Sequence, residues 1–171
     1  MSKQCNLFII ETEYHLLASV SVIFSEHTAK NAKNLFLAIQ NPEGRRLPVN
    51  LDVLLGVEYR EILANQSRVE EFSGVRGKLK ELLNYHFDNC YIFLEHLPLE
   101  RIIAYQLHKK GTVINLLPDG TKPYLKRSHI GIVNRAKRSL RNLLWLSKND
   151  ISPEPISLIP KQYGQSSFID R

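Results

Sequence analysis

The chain has 171 residues, 43% of them hydrophobic and 23% charged, and a formal net charge of +6. This length suits one domain, or one domain with a tail, and the composition is that of a globular protein and not of a disordered one. The first apolar run, from Leu7 to Ile10, is too short for a secretory signal, and no run approaches the roughly 18 apolar residues that span a bilayer. Cys5 and Cys90 each begin an apolar segment, which predicts reduced, buried thiols in a cytoplasmic protein.

The positive charge is concentrated in one part of the chain. Between Arg101 and Lys148 there are eleven Lys or Arg residues and one acidic residue. Such a segment could meet phosphate groups, nucleic acid or the headgroups of an anionic inner leaflet, or it could be a solvated helix face. Nucleic acid is not expected as a partner, because only Tyr105, Tyr124 and Trp145 interleave with the basic residues. Peripheral contact with an anionic membrane remains open.

Short apolar runs alternate with segments of helical periodicity. The runs predict strands over residues 6–12, 34–40, 90–94 and 112–117; 59–63 is a further candidate strand, and 51–55 is either strand or helix. Helices are predicted over about 12–27, 68–85, 99–110 and 131–147. Ser67 and Glu70 form a capping box for the second helix, and Pro98 and Gly111 bound the third.

This alternation predicts an α/β fold, with a Rossmann-like, mainly parallel sheet and helices on both of its faces. The predicted domain covers residues 1–149. Residues 150–171 contain several serines together with Pro153, Pro155, Pro160 and Gly164, and are predicted to be a linker-like tail.

Polar residues follow three of the predicted strands. In an open parallel sheet, ligands bind outside the carboxyl ends of the strands, so these residues are the candidate site. The candidates are Glu11, Tyr14 and His15 after the first strand, Glu95 and His96 after the 90–94 strand, and Asp119, Gly120, Thr121 and Lys122 after the 112–117 strand.

Asp119 carries the highest weight among these candidates. It directly follows a buried run and precedes a glycine, where a carboxylate could take a proton from a substrate hydroxyl. Pro-Asp-Gly is also an ordinary turn sequence, so a structural role stays open. Glu11 and Glu13 lie at the start of the first helix, where acidic side chains interact favourably with the helix dipole. A histidine in the position of His15 is more often a packing or surface residue than a catalyst. Glu95 and His96, as neighbours on a strand, point to opposite faces.

Several chemistries are not expected from this sequence. The histidines lack metal-ligand spacing and two cysteines cannot make a zinc site by themselves, so neither metal nor cofactor is expected. No glycine-rich dinucleotide motif, P-loop or nucleophile elbow occurs, which argues against a dinucleotide enzyme, a P-loop enzyme and an α/β-hydrolase.

Two segments together resemble bacterial sialyltransferases of the lipooligosaccharide and polysialic-acid type. They are Asn6-Leu-Phe-Ile-Ile-Glu-Thr-Glu-Tyr-His-Leu-Leu17 and Ile114-Asn-Leu-Leu-Pro-Asp-Gly-Thr-Lys-Pro-Tyr124. Those enzymes carry an acidic-acidic-glycine motif after a later strand of their first Rossmann-like domain. Asp119 and Gly120 match its last two positions, and Pro118 stands at the first.

The resemblance implies an inverting sugar transfer in bacterial surface glycan synthesis. Asp119 would be the general base for an acceptor glycan hydroxyl, and Glu11, Tyr14 and His15 would line the acceptor side of the cleft. The family binds its nucleotide sugar, CMP-sialic acid, through a His-Pro motif in a second domain. No His-Pro occurs here, so either this is the acceptor-side half, inactive by itself, or the resemblance is one of fold.

The remaining alternative is a non-catalytic, Rossmann-like binding or assembly domain whose basic helix meets an acidic partner. A reading frame that continued beyond Arg171 into a second α/β domain with His-Pro would favour the transferase. A further alternative is a glycosyltransferase of the same two-domain architecture that transfers a different sugar, which this sequence does not distinguish from a sialyltransferase.

Overall fold

In the computed structural model of the protein, the described residues are 3–25, 32–41, 47, 57–64, 75–95, 97–119, 140, 147 and 166–170. The strands in these ranges are β1 (Gln4–Ile10), β2 (Ala32–Gln40), β3 (Glu58–Leu63), β4 (Asn89–Ile92) and β5 (Val113–Leu116). The helices are α1 (Glu13–Ser25), α2 (Arg76–Asn84) and α3 (Pro98–His108).

The strands form one parallel sheet in the order β3-β2-β1-β4-β5. The chain builds outward from β1 to β3 and then returns to place β4 on the other side of β1. The strand order therefore reverses between β1 and β4, which is where ligands of open α/β sheets bind, outside the carboxyl ends. The predicted Rossmann-like α/β fold is confirmed.

Side chains of β1 alternate between two buried layers. Leu7 and Ile9 pack with α2 and α3 on one face of the sheet, whereas Phe8 and Ile10 pack with α1 on the other. Because both faces are covered, the central strands contain uninterrupted apolar runs, such as Leu7 to Ile10 in β1, and do not alternate like the strands of a half-exposed sheet. None of the described helices has the length and apolar character needed to cross a membrane.

The boundaries of α3 follow the predicted signals. Pro98 is its first residue, and Gly111, just after its end, has a φ of 89°, a conformation that residues with a side chain rarely adopt. Of the predicted 68–85 helix, Arg76–Asn84 is observed as α2. Residues 68–74 and the predicted capping residue Ser67 lie outside the described residues, and so does Glu70 within that stretch. The 51–55 segment lies outside them as well. Of the predicted 131–147 helix, only Leu140 and Ser147 are described, and both are helical.

Part of the predicted tail lies against the domain. Phe168 is buried in the core beside α3, and its ring lies 5.0 Å from the Arg101 guanidinium carbon. The Asp170 N–H donates to the Ile114 carbonyl (2.9 Å), and the Ile114 N–H donates to Asp170 Oδ2 (2.8 Å). Residues 166–170 therefore pack on β5 and α3; residues 150–165 lie outside the described part of the chain.

Both cysteines are free thiols, as the sequence predicts. Cys90 is buried and Cys5 is half-buried. Burial raises the pKa of each thiol, most strongly for Cys90, where the nearby Glu100 carboxylate acts in the same direction. Both are therefore protonated at neutral pH.

A row of asparagine side chains crosses the amino-terminal part of the sheet. Asn6 Nδ2 donates to Asn34 Oδ1 (2.9 Å), and Asn89 Nδ2 donates to Asn6 Oδ1 (3.0 Å). The strand register places Asn6 opposite both partners. A slip of one residue in either pairing would break this row, so it favours a single register.

We expect Asn6→Ala to lower the free energy of unfolding by about 2–4 kcal/mol, because it leaves two amides without a hydrogen bond. Urea unfolding followed by circular dichroism measures the change. Asn84→Ala, at an exposed position near the end of α2, is the matched control and should stay within about 0.5 kcal/mol. Equal effects of the two variants would contradict a role for the row.

Candidate active site at the carboxyl ends of the strands

Side chains that follow β1 and β5 meet at the carboxyl edge of the sheet. His15 lies in the first turn of α1, Asp119 follows β5, and His15 Nε2 is 3.0 Å from Asp119 Oδ1. β4 lies between these strands, and the Phe93 ring just after it stacks on the imidazole, with centroids 4.2 Å apart and planes within 2°. The pair therefore spans the end of β4, next to the point where the strand order reverses.

The backbone and ring of His15 are held by its own turn. Thr12 Oγ1 accepts from the His15 N–H (3.2 Å), as an N-cap does, and the Ser19 hydroxyl donates to the His15 carbonyl (2.7 Å). The Glu11 N–H donates to Nδ1 (3.2 Å). Only 1% of the His15 side chain is exposed, against 12% for Asp119. Asp119 is therefore the more exposed member of the pair, although its Oδ2 is itself buried.

A buried carboxyl group from α3 lies close to this pair. Glu100 Oε1 accepts from the N–H groups of Phe93 (2.7 Å) and Leu94 (3.0 Å) and so terminates β4. Burial raises the pKa of Glu100 to about 7, against the opposing effect of these two hydrogen bonds, and the Asp119 carboxylate raises it further. Near neutral pH, Glu100 is thus partly protonated beside Asp119.

The structure brings some of the predicted site residues together. Glu11 contributes its main-chain N–H to the His15 ring, and Tyr14 lies edge-on to that ring, with centroids 6.4 Å apart and 48% of Tyr14 exposed. Glu95 is fully buried, and its carbonyl accepts from Arg101. His96, Gly120, Thr121 and Lys122 lie outside the described residues.

Sequence reasoning did not predict that Glu100 and Phe93 lie beside this pair, or that His15 contacts Asp119. A signal for Glu100 exists, because Glu100 and Arg101 interrupt an otherwise apolar start of α3. Charged residues in a helix that is buried on both sides need internal partners. The contribution of Phe93 depends on the stacking distance, which no local pattern encodes.

The turn after β1 does not have the chemistry of a phosphate site. Dinucleotide-binding folds place glycines there so that main-chain N–H groups approach the pyrophosphate. This chain has Glu11 and Glu13 instead, which would repel phosphate at the start of α1. Among the described residues, no group of three or more His, Cys, Asp or Glu side chains could hold a metal ion.

Comparison with known proteins leaves the family open. No protein-family model matches the chain, and no curated protein matches its sequence. A solved structure of a bulky-bulky ketone specific alcohol dehydrogenase from Comamonas testosteroni is similar at 13% identity and a TM-score of 0.37, over 98% of this chain and 80% of that one. A likeness of that size carries no argument about function.

We expect Glu100→Gln to flatten the pH dependence of stability. The pKa of Glu100 is raised in the folded state from 4.5 to about 7, so its stabilising protonation is complete below about pH 4.5 and is lost as the pH rises through 7. The Gln side chain keeps an oxygen that can accept from both N–H groups and has no charge to bury. The free energy of unfolding of the variant should therefore exceed that of the wild type by about 2–3 kcal/mol at pH 8, with little difference near pH 4.5.

Chemical unfolding at intervals from pH 4.5 to 8 tests this expectation. Glu81→Gln is the matched control, since that side chain is 61% exposed on α2. Parallel pH curves for wild type and Glu100→Gln would show that Glu100 is charged throughout this range.

Proposed function

We propose that this chain is the acceptor-side domain of a nucleotide-sugar-dependent glycosyltransferase, with Asp119 as the base that takes a proton from the acceptor hydroxyl. The supporting observation is a carboxylate at the carboxyl edge of the sheet, tied to a buried imidazole at 3.0 Å and still 12% exposed. A turn aspartate with only a local role has no need of a partner 104 positions away in sequence.

Asp119, and not His15, suits the role of base. Both ring nitrogens of His15 already face groups of the protein, Glu11 N–H and Asp119 Oδ1. In a Ser-His-Asp hydrolase the second imidazole nitrogen faces the nucleophile. Here it faces the main chain, so a hydrolase of that kind is disfavoured and the carboxylate remains as the proton acceptor.

The proposed step is a single displacement at the sugar. The acceptor hydroxyl oxygen forms a bond to the anomeric carbon while its proton passes to the Asp119 carboxylate. The bond from the anomeric carbon to the donor phosphate breaks, and the nucleotide leaves with that electron pair. Configuration at the anomeric carbon is inverted, and no metal or cofactor is needed on the acceptor side.

The acidic turn after β1 favours the acceptor side over the nucleotide side. Glu11 and Glu13 disfavour phosphate where Rossmann-like nucleotide domains bind it, so the donor would be held by a second domain. The resemblance of the segments around His15 and Asp119 to bacterial sialyltransferases favours CMP-sialic acid as the donor and a surface glycan as the acceptor.

We expect Asp119→Asn to lower kcat for sugar transfer by about 100- to 10,000-fold, because Asn keeps the size of the side chain but cannot accept the proton. The acceptor KM should change by less than about three-fold, since the hydrogen-bonding shape is retained. Transfer is measured with CMP-sialic acid and other nucleotide sugars, using this domain joined to its nucleotide-binding domain.

Asp88→Asn is the matched control. Asp88 precedes β4 at the opposite edge of the sheet. Its Oδ1 lies 3.9 Å from His86 Nε2, and 47% of its side chain is exposed. It makes a second His–Asp pair, but an exposed one. Wild-type kcat in Asp119→Asn, or an equal loss in both variants, would remove Asp119 from the proposed chemistry.

A further inference from the structure

The tautomer of His15 follows from its two contacts. A neutral imidazole has one N–H and one bare nitrogen, whereas an imidazolium has two N–H groups. Nδ1 lies 3.2 Å from the Glu11 nitrogen, whose N–H points at it, so Nδ1 is the acceptor. The proton is then on Nε2, where it is donated to Asp119 Oδ1 at 3.0 Å. Protonation of Nδ1 would place two N–H groups against each other.

The ring is also fixed in orientation. It stacks on Phe93 with planes within 2°, and Thr12 and Ser19 hold its backbone N–H and carbonyl. With 1% of its side chain exposed, it has no open path to a substrate. Rotation of the imidazole would break the stack and both nitrogen contacts together.

We infer that His15 is a positioning residue, which holds the Asp119 carboxylate over the end of β4 and exchanges no proton with the substrate. The direction of support is the reverse of that in a hydrolytic triad, where a carboxylate orients a reactive imidazole. Here a neutral imidazole orients a reactive carboxylate. The kinetic consequence rests on the proposed function of Asp119 as the base.

One effect on Asp119 follows from this contact. Fixing Oδ1 restricts rotation of the carboxylate, which therefore keeps one orientation at the end of β4, with its second oxygen, Oδ2, buried. This effect does not require the histidine to change its own protonation state.

A spectroscopic test needs no enzymatic activity. Two-bond proton–nitrogen correlation spectra of this chain, labelled with nitrogen-15, distinguish a bare imidazole nitrogen from a protonated one. At pH 6–8 we expect His15 to show a bare Nδ1 and a protonated Nε2, without averaging between tautomers. His86, which is 75% exposed, is the reference ring within the same spectrum, and His15→Gln assigns the His15 signals.

The kinetic test compares two substitutions of His15 in the complete transferase. His15→Gln keeps an N–H donor that can reach Asp119, and His15→Leu removes the donor. We expect His15→Leu to lower kcat by about 10- to 100-fold at nearly constant acceptor KM, and His15→Gln to remain within about five-fold of wild type. His86→Gln is the control, and thermal unfolding checks that each variant is folded.

Each outcome bears on one of the two claims. An Nδ1–H tautomer, an imidazolium or an averaged pair of tautomers at neutral pH overturns the positioning role, whatever the transfer activity. Equal losses for Leu and Gln, or a loss confined to KM, overturn it as well. If Asp119→Asn transfers sugar normally, the proposed function fails, while the spectra still decide whether His15 holds the carboxylate.

Discussion

The hydrogen bond between His15 and Asp119 holds the candidate site together. It forms only when the strand order, the strand register and the start of α1 place the two side chains next to each other. Its two residues follow β1 and β5, which are separated in the sheet by β4. The 3.0 Å contact therefore passes over the end of β4, where Phe93 comes directly after the strand and stacks on the imidazole. The row of asparagines that crosses β2, β1 and β4 favours the register on which this geometry depends. The α1 cap at Thr12 then sets the first turn, and with it the imidazole.

Two carboxyl groups, those of Asp119 and Glu100, lie close together at this edge of the sheet. Asp119 is partly exposed and receives a hydrogen bond from His15, whereas Glu100 is buried and has its pKa raised to about 7 by burial and by Asp119. Burying two full charges side by side is costly, and a proton on Glu100 relieves that cost. The environment therefore favours the neutral form of Glu100, the more deeply buried of the two carboxyl groups.

The sheet could be predicted from sequence because its central strands are covered on both faces and therefore contain uninterrupted apolar runs. The runs that begin at Leu7 and Cys90 marked β1 and β4, and Pro98 and Gly111 marked the limits of α3. Asp119 was found for the same reason, since it follows such a run. Its link to His15 was not, because a contact between residues 104 positions apart depends on strand order, which local periodicity does not contain.

Under the proposed function, a glycan acceptor binds at the carboxyl ends of the strands, over Asp119. Binding is measured by adding a neutral or a sialic-acid-terminated oligosaccharide to this chain, labelled with nitrogen-15, and recording which backbone amide signals shift. We expect shifts confined to the residues that follow β1, β4 and β5, including His15, Phe93 and Asp119, and we expect these shifts to be lost in Asp119→Ala. Shifts at the opposite edge, around His86 and Asp88, or no shift at millimolar sugar, would contradict it.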